Sequence, residues 1–186
     1  YYTGEVYCAR ANAYAELIKC FCEAYDPANA ESQMGVAIDS TYFGAKPKGR
    51  ASLKESYEFV IRDLKKAEEL LEEDFDYYTN PYVTDAAAKA IRARIALYMQ
   101  DWDAAIKYSS LLIDHPNKAY SLSSATSVYT NNMSYYDYMW NYDVGTEIIW
   151  RVGFTNTSYG GALGQAFLNF TTDYTYYYPD YVPARW

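Results

Sequence analysis

Asp137, Asp143, Glu147, Asp173 and Asp180 stand among a crowd of tyrosines in the last third of the chain. Two chemistries could draw on such a set. Hydrolysis of a glycosidic bond needs two carboxyl groups flanking it, about 5 Å apart for retention or about 6.5–9.5 Å apart for inversion. These five acids are scattered and share no motif, so a paired acid and base is weakly supported. Saccharide binding asks for less. A pyranose presents a patch of C–H groups that packs flat on an aromatic ring, which buries apolar area without stripping its hydroxyls of water. Nearby Asn, Asp, Gln or Arg side chains then fix its orientation. The candidate stacking rings are Tyr142, Tyr159, Tyr174 and Tyr176, and the candidate polar partners are Asn141 and Asn156, with Asp143 and Asp173 close in sequence. A competing reading holds for each ring in turn: it fills the seam between loops and a scaffold.

Other chemistries find less to work with. The cysteines are Cys8, Cys20 and Cys22, and their odd number leaves a free thiol within one chain. Residues i and i+2 of a helix point about 200° apart, so Cys20 and Cys22 cannot serve one metal, and all three read as buried thiols. His115 is the only histidine, which makes a His-based triad or zinc site unsupported. No cofactor or metal is expected. With 24 acidic and 16 basic side chains the formal charge is −8. The bases are interleaved with acids, as in Lys65-Lys66-Ala67-Glu68-Glu69, which describes a solvated helix face and not a phosphate-binding patch, so no nucleic-acid partner is expected. No apolar run reaches the roughly 20 residues of a spanning helix.

The elements that would carry these residues are mostly helical. Ala9, Ala13, Leu17, Phe21 and Ala24 recur at helical spacing beside Val6, Tyr14 and Ile18, which predicts an amphipathic helix over about 5–25 that ends before Pro27. Tyr1, Tyr2 and Tyr7 are expected to pack with it. A Gly- and Pro-containing loop follows. Ser52-Leu53-Lys54-Glu55 is a capping box, and it opens a helix to about residue 73 with Tyr57, Val60, Ile61, Leu64, Ala67 and Leu71 on one face. After a linker, Thr84 can cap a helix over 85–99. A very short turn at Gln100–Asp101 then folds the chain back into an antiparallel helix that ends at His115-Pro116. Trp102, Ala105, Ile106, Ser109, Leu112 and Ile113 form its expected core face. Tyr57, Tyr98 and Trp102 lie at core spacing.

Beyond Tyr120 the texture changes. Residues 119–186 hold 12 of the 24 tyrosines and seven charged side chains. "EIIWRV" (147–152) is the clearest strand-like run, and "ALGQAFLNF" (162–170) could form a short helix. Long loops rich in aromatics argue for function and against disorder. The chain thus divides into a helical scaffold over 1–118 and a loop-rich aromatic segment over 119–186 of the same domain.

"ALYMQDWDAAIKYSSLLIDHP" resembles a tetratricopeptide-type hairpin, with Gln100 where a turn glycine is usual and Tyr108 about one position early. "EVYCARANAYAELIKCF", "GRASLKESYEFVIRDLKKAEELL", "AAAKAIRARIALYMQDWDAAIKYSSLLID", "YSL" and "GTEIIWRV" follow in that order, and "PDYVPARW" near the end also fits. Together they resemble the SusD/RagB family of Bacteroidetes outer-membrane lipoproteins, with Arg10 inside the most specific piece. The resemblance implies a mostly α fold of tetratricopeptide-like hairpins, an α-α superhelix, with a loop-rich, aromatic C-terminal part containing a short strand. It implies a binding protein and not an enzyme, one that captures oligosaccharides or polysaccharides at the cell surface, or peptides in some members. The implied partner is a SusC-like TonB-dependent transporter. Family members are considerably longer at both ends, so membrane attachment is expected only through a lipid anchor that lies outside this chain. The family position of Trp140 is a core aromatic, and Trp150 is expected within the strand. A tetratricopeptide-type protein- or peptide-interaction module is the alternative, since helical repeats bind peptides along concave faces. That alternative does not call for twelve tyrosines in the loop-rich third.

Overall fold

The computed structural model describes residues 1–40, 48–71, 82–115 and 120–153. Two compact units divide the chain, Tyr1–Arg151 and Val152–Trp186, and the features below belong to the first. Its elements are α1 (Tyr2–Phe21), α2 (Leu53–Leu70), α3 (Asp85–Tyr98), α4 (Trp102–Ile113), β1 (Val128–Thr130), β2 (Met133–Ser134) and α5 (Tyr135–Tyr142). The mostly helical fold with a short strand is as expected. The expected helix at 162–170 lies outside the described residues.

Helices α1, α2 and α3 share a core built on Ile18, Leu53, Val60, Leu64, Ala88 and Ile95, all nearly or fully buried. The capping box forms as its sequence requires: Glu55 N–H donates to Ser52 Oγ at 3.1 Å, and Ser52 N–H donates to Glu55 Oε2 at 3.0 Å. Helix α1 ends at Phe21, four residues short of the expected limit. There Arg50 Nη2 donates to the Phe21 carbonyl at 2.8 Å, and Arg50 Nε donates to the Gly35 carbonyl at 2.5 Å. One guanidinium thus satisfies a helix-end carbonyl and ties the following loop to it.

The buried face of α1 is not the expected one. Gly4, Cys8, Ala11, Ala15 and Ile18 face inward, whereas Val6, Ala9, Ala13, Leu17 and Phe21 are exposed. Glu5, Asn12, Glu16 and Lys19 share one stripe and the remaining faces of α1 are largely apolar, so periodicity alone offers more than one inward stripe. Close approach decides between them: a Cβ on Gly4 would sit 2.8 Å from Leu71 Cγ. Tyr7 packs on the core and Tyr2 does not. Of the three thiols, Cys8 alone is buried.

The α3–α4 hairpin forms with its turn where expected. Gln100 adopts φ 59°, the left-handed conformation that the missing glycine would supply at no cost. Its Nε2 donates to the Tyr25 carbonyl at 2.9 Å. Asp101 Oδ1 accepts from Ala104 N–H at 3.1 Å and caps α4. Thr84 stands at the N-cap of α3, but its buried hydroxyl makes no hydrogen bond. Helix α4 is rotated from the expected face. Tyr108 and Leu112 are buried, while Trp102, Ile106 and Ile113 are exposed, as is Tyr98 of α3. The cause is Arg92 of α3, whose guanidinium sits 4.0 Å from the Tyr108 ring centre and pairs with Glu68 through two 3.0 Å contacts. This cation–π contact turns the Tyr108 side inward.

No strand forms at Glu147–Val152. The run begins in a turn, where Ile148 N–H donates to the Gly145 carbonyl at 3.3 Å, and the neighbouring 120–123 segment bonds to Thr146 and to the Glu147 side chain without forming a strand ladder. The hairpin lies instead at β1–β2, where Asn131 and Asn132 carry φ 49° and 60°. Two successive left-handed residues match the twist of a two-residue hairpin, and Asn tolerates that conformation.

Candidate functional site

Ser134 ends the hairpin and begins α5. Asp137 N–H donates to Ser134 Oγ at 3.0 Å, and Asp137 Oδ2 accepts from Ser134 Oγ at 2.7 Å and from Ser134 N–H at 3.4 Å. This second capping box makes a helix of "YYDYMWNY", a stretch read from sequence as loop. The Ser-x-x-Asp spacing was the signal that could have revealed it. The N–H groups of Tyr135 and Tyr136 donate to the carbonyls of Ser127 (3.2 Å) and Ser124 (3.1 Å), which anchors α5 to the preceding loop. Met139 is its one buried side chain.

Two flanks of α5 are therefore left to aromatic rings. On the first, Tyr135, Tyr129, Tyr138 and Tyr142 form a ladder. Tyr129 lies 4.9 Å from Tyr135 and 4.6 Å from Tyr138, and Tyr138 lies 4.5 Å from Tyr142, tilted by 33°. Beside the ladder opens a cleft of about 560 Å³. Tyr129, Tyr135 and Tyr138 form one wall, and Ser121, Ser123, Ser124, Ser127 and Thr146 supply hydroxyls. Ser121 and Thr146 close one end by bonding each other, Oγ to Oγ1 at 2.9 Å and N–H to O at 3.1 Å. Among the described residues no carboxylate, ammonium or guanidinium lines this cleft, and its three phenol oxygens make no hydrogen bond. Flat rings with open hydroxyls and no fixed charge suit a neutral, polyhydroxylated ligand.

The second flank carries Tyr136 and Trp140, with ring centres 6.2 Å apart and nearly edge to face. Trp140 was expected in the core but is 71% exposed. It occupies the i+4 position from Tyr136, one residue past the inward-facing Met139. A groove of about 370 Å³ runs beside it, lined also by Asp143, Glu147, Trp150 and Arg151. Trp150 packs against the core cluster, though not from a strand.

Of the sequence-predicted site residues, Tyr142 and Asn141 lie on α5. Tyr142 extends the ladder and is exposed. Asn141 Nδ2 donates to the Asp137 carbonyl at 2.8 Å, which turns its amide back along the helix. Tyr159, Tyr174, Tyr176, Asn156 and Asp173 lie outside the described residues. The structure adds Tyr129, Tyr135, Tyr138 and the four serines, whose proximity depends on the hairpin and is not visible in their spacing. Of the five acids in the aromatic third, the three described each make a contact: Asp137 in the cap, Asp143 Oδ2 with Arg151 at 2.7 Å, and Glu147 Oε2 accepting from Ser123 N–H at 3.0 Å. No group of acids, cysteines or histidine suited to a metal occurs among the described residues.

The profile of the SusD-like family, described as starch-binding and associating with the outer membrane, matches residues 2–97. No curated protein matches the chain. Several solved structures do. A SusD superfamily protein from Bacteroides thetaiotaomicron VPI-5482 is 22% identical, with a TM-score of 0.69 over 83% of this chain and 31% of that one. A SusD-like protein from Bacteroides fragilis NCTC 9343 is 26% identical, with a TM-score of 0.56 over 82% of this chain and 27% of that one. A SusD-like carbohydrate binding protein from Bacteroides vulgatus ATCC 8482 is 22% identical, with a TM-score of 0.55 over 66% of this chain and 25% of that one. At 22% identity a likeness speaks for the fold. The chain spans about a third or less of the length of these structures.

Proposed function

The chain belongs to the SusD-like family, and from that premise we propose that the full-length protein is a cell-surface glycan-binding subunit that captures oligosaccharides for a TonB-dependent outer-membrane transporter. The observation that carries this reading is the Tyr129–Tyr135–Tyr138 wall facing a serine-lined cleft. A ring wall offers stacking area, and its phenol hydroxyls, which make no hydrogen bond among the described residues, offer exchangeable hydrogen bonds. Such a site binds without doing chemistry. Among the described residues no carboxylate lines the tyrosine cleft, which supports binding over hydrolysis there. Attachment to the outer membrane would come from a lipid anchor, and no described helix is long and apolar enough to cross a membrane.

The test is a glycan array with the full-length protein beside a pull-down from outer membranes. Carbohydrate binding together with recovery of a TonB-dependent transporter supports the reading. Peptide binding with no carbohydrate signal would replace it with the interaction-module reading, and release of shorter sugars in a product assay would replace it with an enzyme. The exposed stripe of Trp102, Ile106 and Ile113 on α4 is the observation that favours the interaction module.

A further inference from the structure

The two flanks of α5 differ in charge. The tyrosine cleft has none among the described residues, whereas the groove beside Trp140 holds two carboxylates and one guanidinium. Asp143 sits at the C-cap of α5 with φ 56°, and its N–H donates to the Met139 carbonyl at 2.8 Å. Its side chain lines the groove that Trp140 borders. Arg151 Nη1 donates to one oxygen, Oδ2, at 2.7 Å. Oδ1 has no protein partner among the described residues, and the Asp143 side chain is 56% exposed. Arg151 bears a cost in this role, because its Nε is buried with no hydrogen-bond partner. An orphaned buried donor is destabilising. Arg151 thus keeps its bond to Asp143 while leaving its own Nε unsatisfied.

We propose that Asp143, held by Arg151 beside the exposed Trp140 ring, selects the ligand: it accepts hydroxyl hydrogen bonds from a sugar stacked on Trp140 and repels sugars that carry a carboxylate. The inference rests on the glycan-capture reading and assigns it a substrate class, neutral glycans over uronate-containing ones. A carboxylate with one oxygen fixed and the other open accepts strong, directional bonds from sugar hydroxyls. A uronate in the same position would face Asp143 and Glu147 with Arg151 already engaged, and like charges in a partly desolvated groove disfavour binding. Asp143 and Trp140 would touch the ligand directly, and Arg151 acts through Asp143.

The experiment is calorimetry with the full-length protein against amylopectin, xyloglucan, galactan, arabinan and polygalacturonate. The expected result is binding of at least one neutral polysaccharide and none of polygalacturonate. Asp143→Asn and Trp140→Ala should each weaken the neutral ligand about tenfold or more with the melting temperature nearly unchanged. Asp143→Asn should also narrow the ratio between neutral and uronate ligands, a readout that a purely structural Asp143 would not move. Neutral-glycan binding that survives both substitutions while Tyr138→Ala reduces it would overturn this inference and leave the capture reading standing. Preference for polygalacturonate would overturn it as well. If no polysaccharide binds the unaltered protein, the capture reading falls and takes the inference with it.

Discussion

Arg10 of α1 grips both carboxylate oxygens of Asp63 on α2, Nε to Oδ2 at 2.6 Å and Nη2 to Oδ1 at 3.0 Å. The guanidinium also lies 5.3 Å from the Tyr7 ring centre and 5.1 Å from that of Phe59. Asp63 is only 2% exposed. Removing one partner of such a pair leaves a charge buried and alone, at a cost of about 3–5 kcal/mol. Arg10→Met should therefore destabilise the full-length protein by about that amount. The double change Arg10→Met with Asp63→Leu should recover much of the loss. Urea denaturation of both variants checks it, and equal losses in the two would contradict the account.

Gln100 offers a second test. Alanine exceeds glycine by about 1 kcal/mol in a helix, but at a left-handed position the order reverses. Gln100→Ala and Gln100→Gly both lose the bond to the Tyr25 carbonyl. The glycine variant should be the more stable of the two by about 1 kcal/mol. Paired thermal melts decide it, and an alanine variant that melts higher would show that the turn relaxes out of its left-handed form.

Alkaline pH should loosen the core. Burial pushes the Cys8 thiol up to about 12, and burial likewise pushes the Tyr57 phenol up to about 12. Both are neutral acids with raised folded values. The stability tied to their neutral forms is intact below their ordinary values of 9.0 and 10.0 and is lost as pH climbs from there toward about 12. Tyr57→Phe removes one ionisation with little change of shape. Its unfolding free energy should decline less steeply between about pH 10 and 12 than that of the unaltered protein. Denaturant melts across that range measure the slope.

The tyrosine ladder separates binding from folding. Tyr138→Ala should reduce glycan affinity about tenfold for each 1.4 kcal/mol of stacking lost while the melting temperature hardly moves. Ser134→Ala removes the α5 cap, should cost about 0.5–2 kcal/mol, and should weaken binding too, because α5 carries the rings. Calorimetry beside thermal melts reads both. Loss of stability with intact binding in Tyr138→Ala would return this ring to a packing role.

Much of the helical scaffold was legible in the chain itself. Ser52 with Glu55, the Asp101 cap and the short turn at Gln100 are local chemistry, settled within a few residues of each other, so their spacing alone specifies them. Family membership was legible for a related reason, since motifs in a given order over 2–97 are a property of sequence. What the sequence could not decide is which of two apolar stripes on a helix turns inward. The backbone of α1 accepts either, and the choice fell to the contact of Gly4 with Leu71. On α4 it fell to Arg92 beneath the Tyr108 ring, which left Trp102 outside. The candidate site belongs mostly to this second kind, although Tyr142 and the Ser134–Asp137 cap are legible in the sequence. Tyr129, Tyr135 and Tyr138 become one wall only after Asn131 and Asn132 fold the hairpin and Ser134 caps α5. Asp143 and Arg151 meet across eight residues because a left-handed backbone turns one toward the other. Local free energies write themselves into short spacings, but burial is a competition among faces that only packed neighbours resolve.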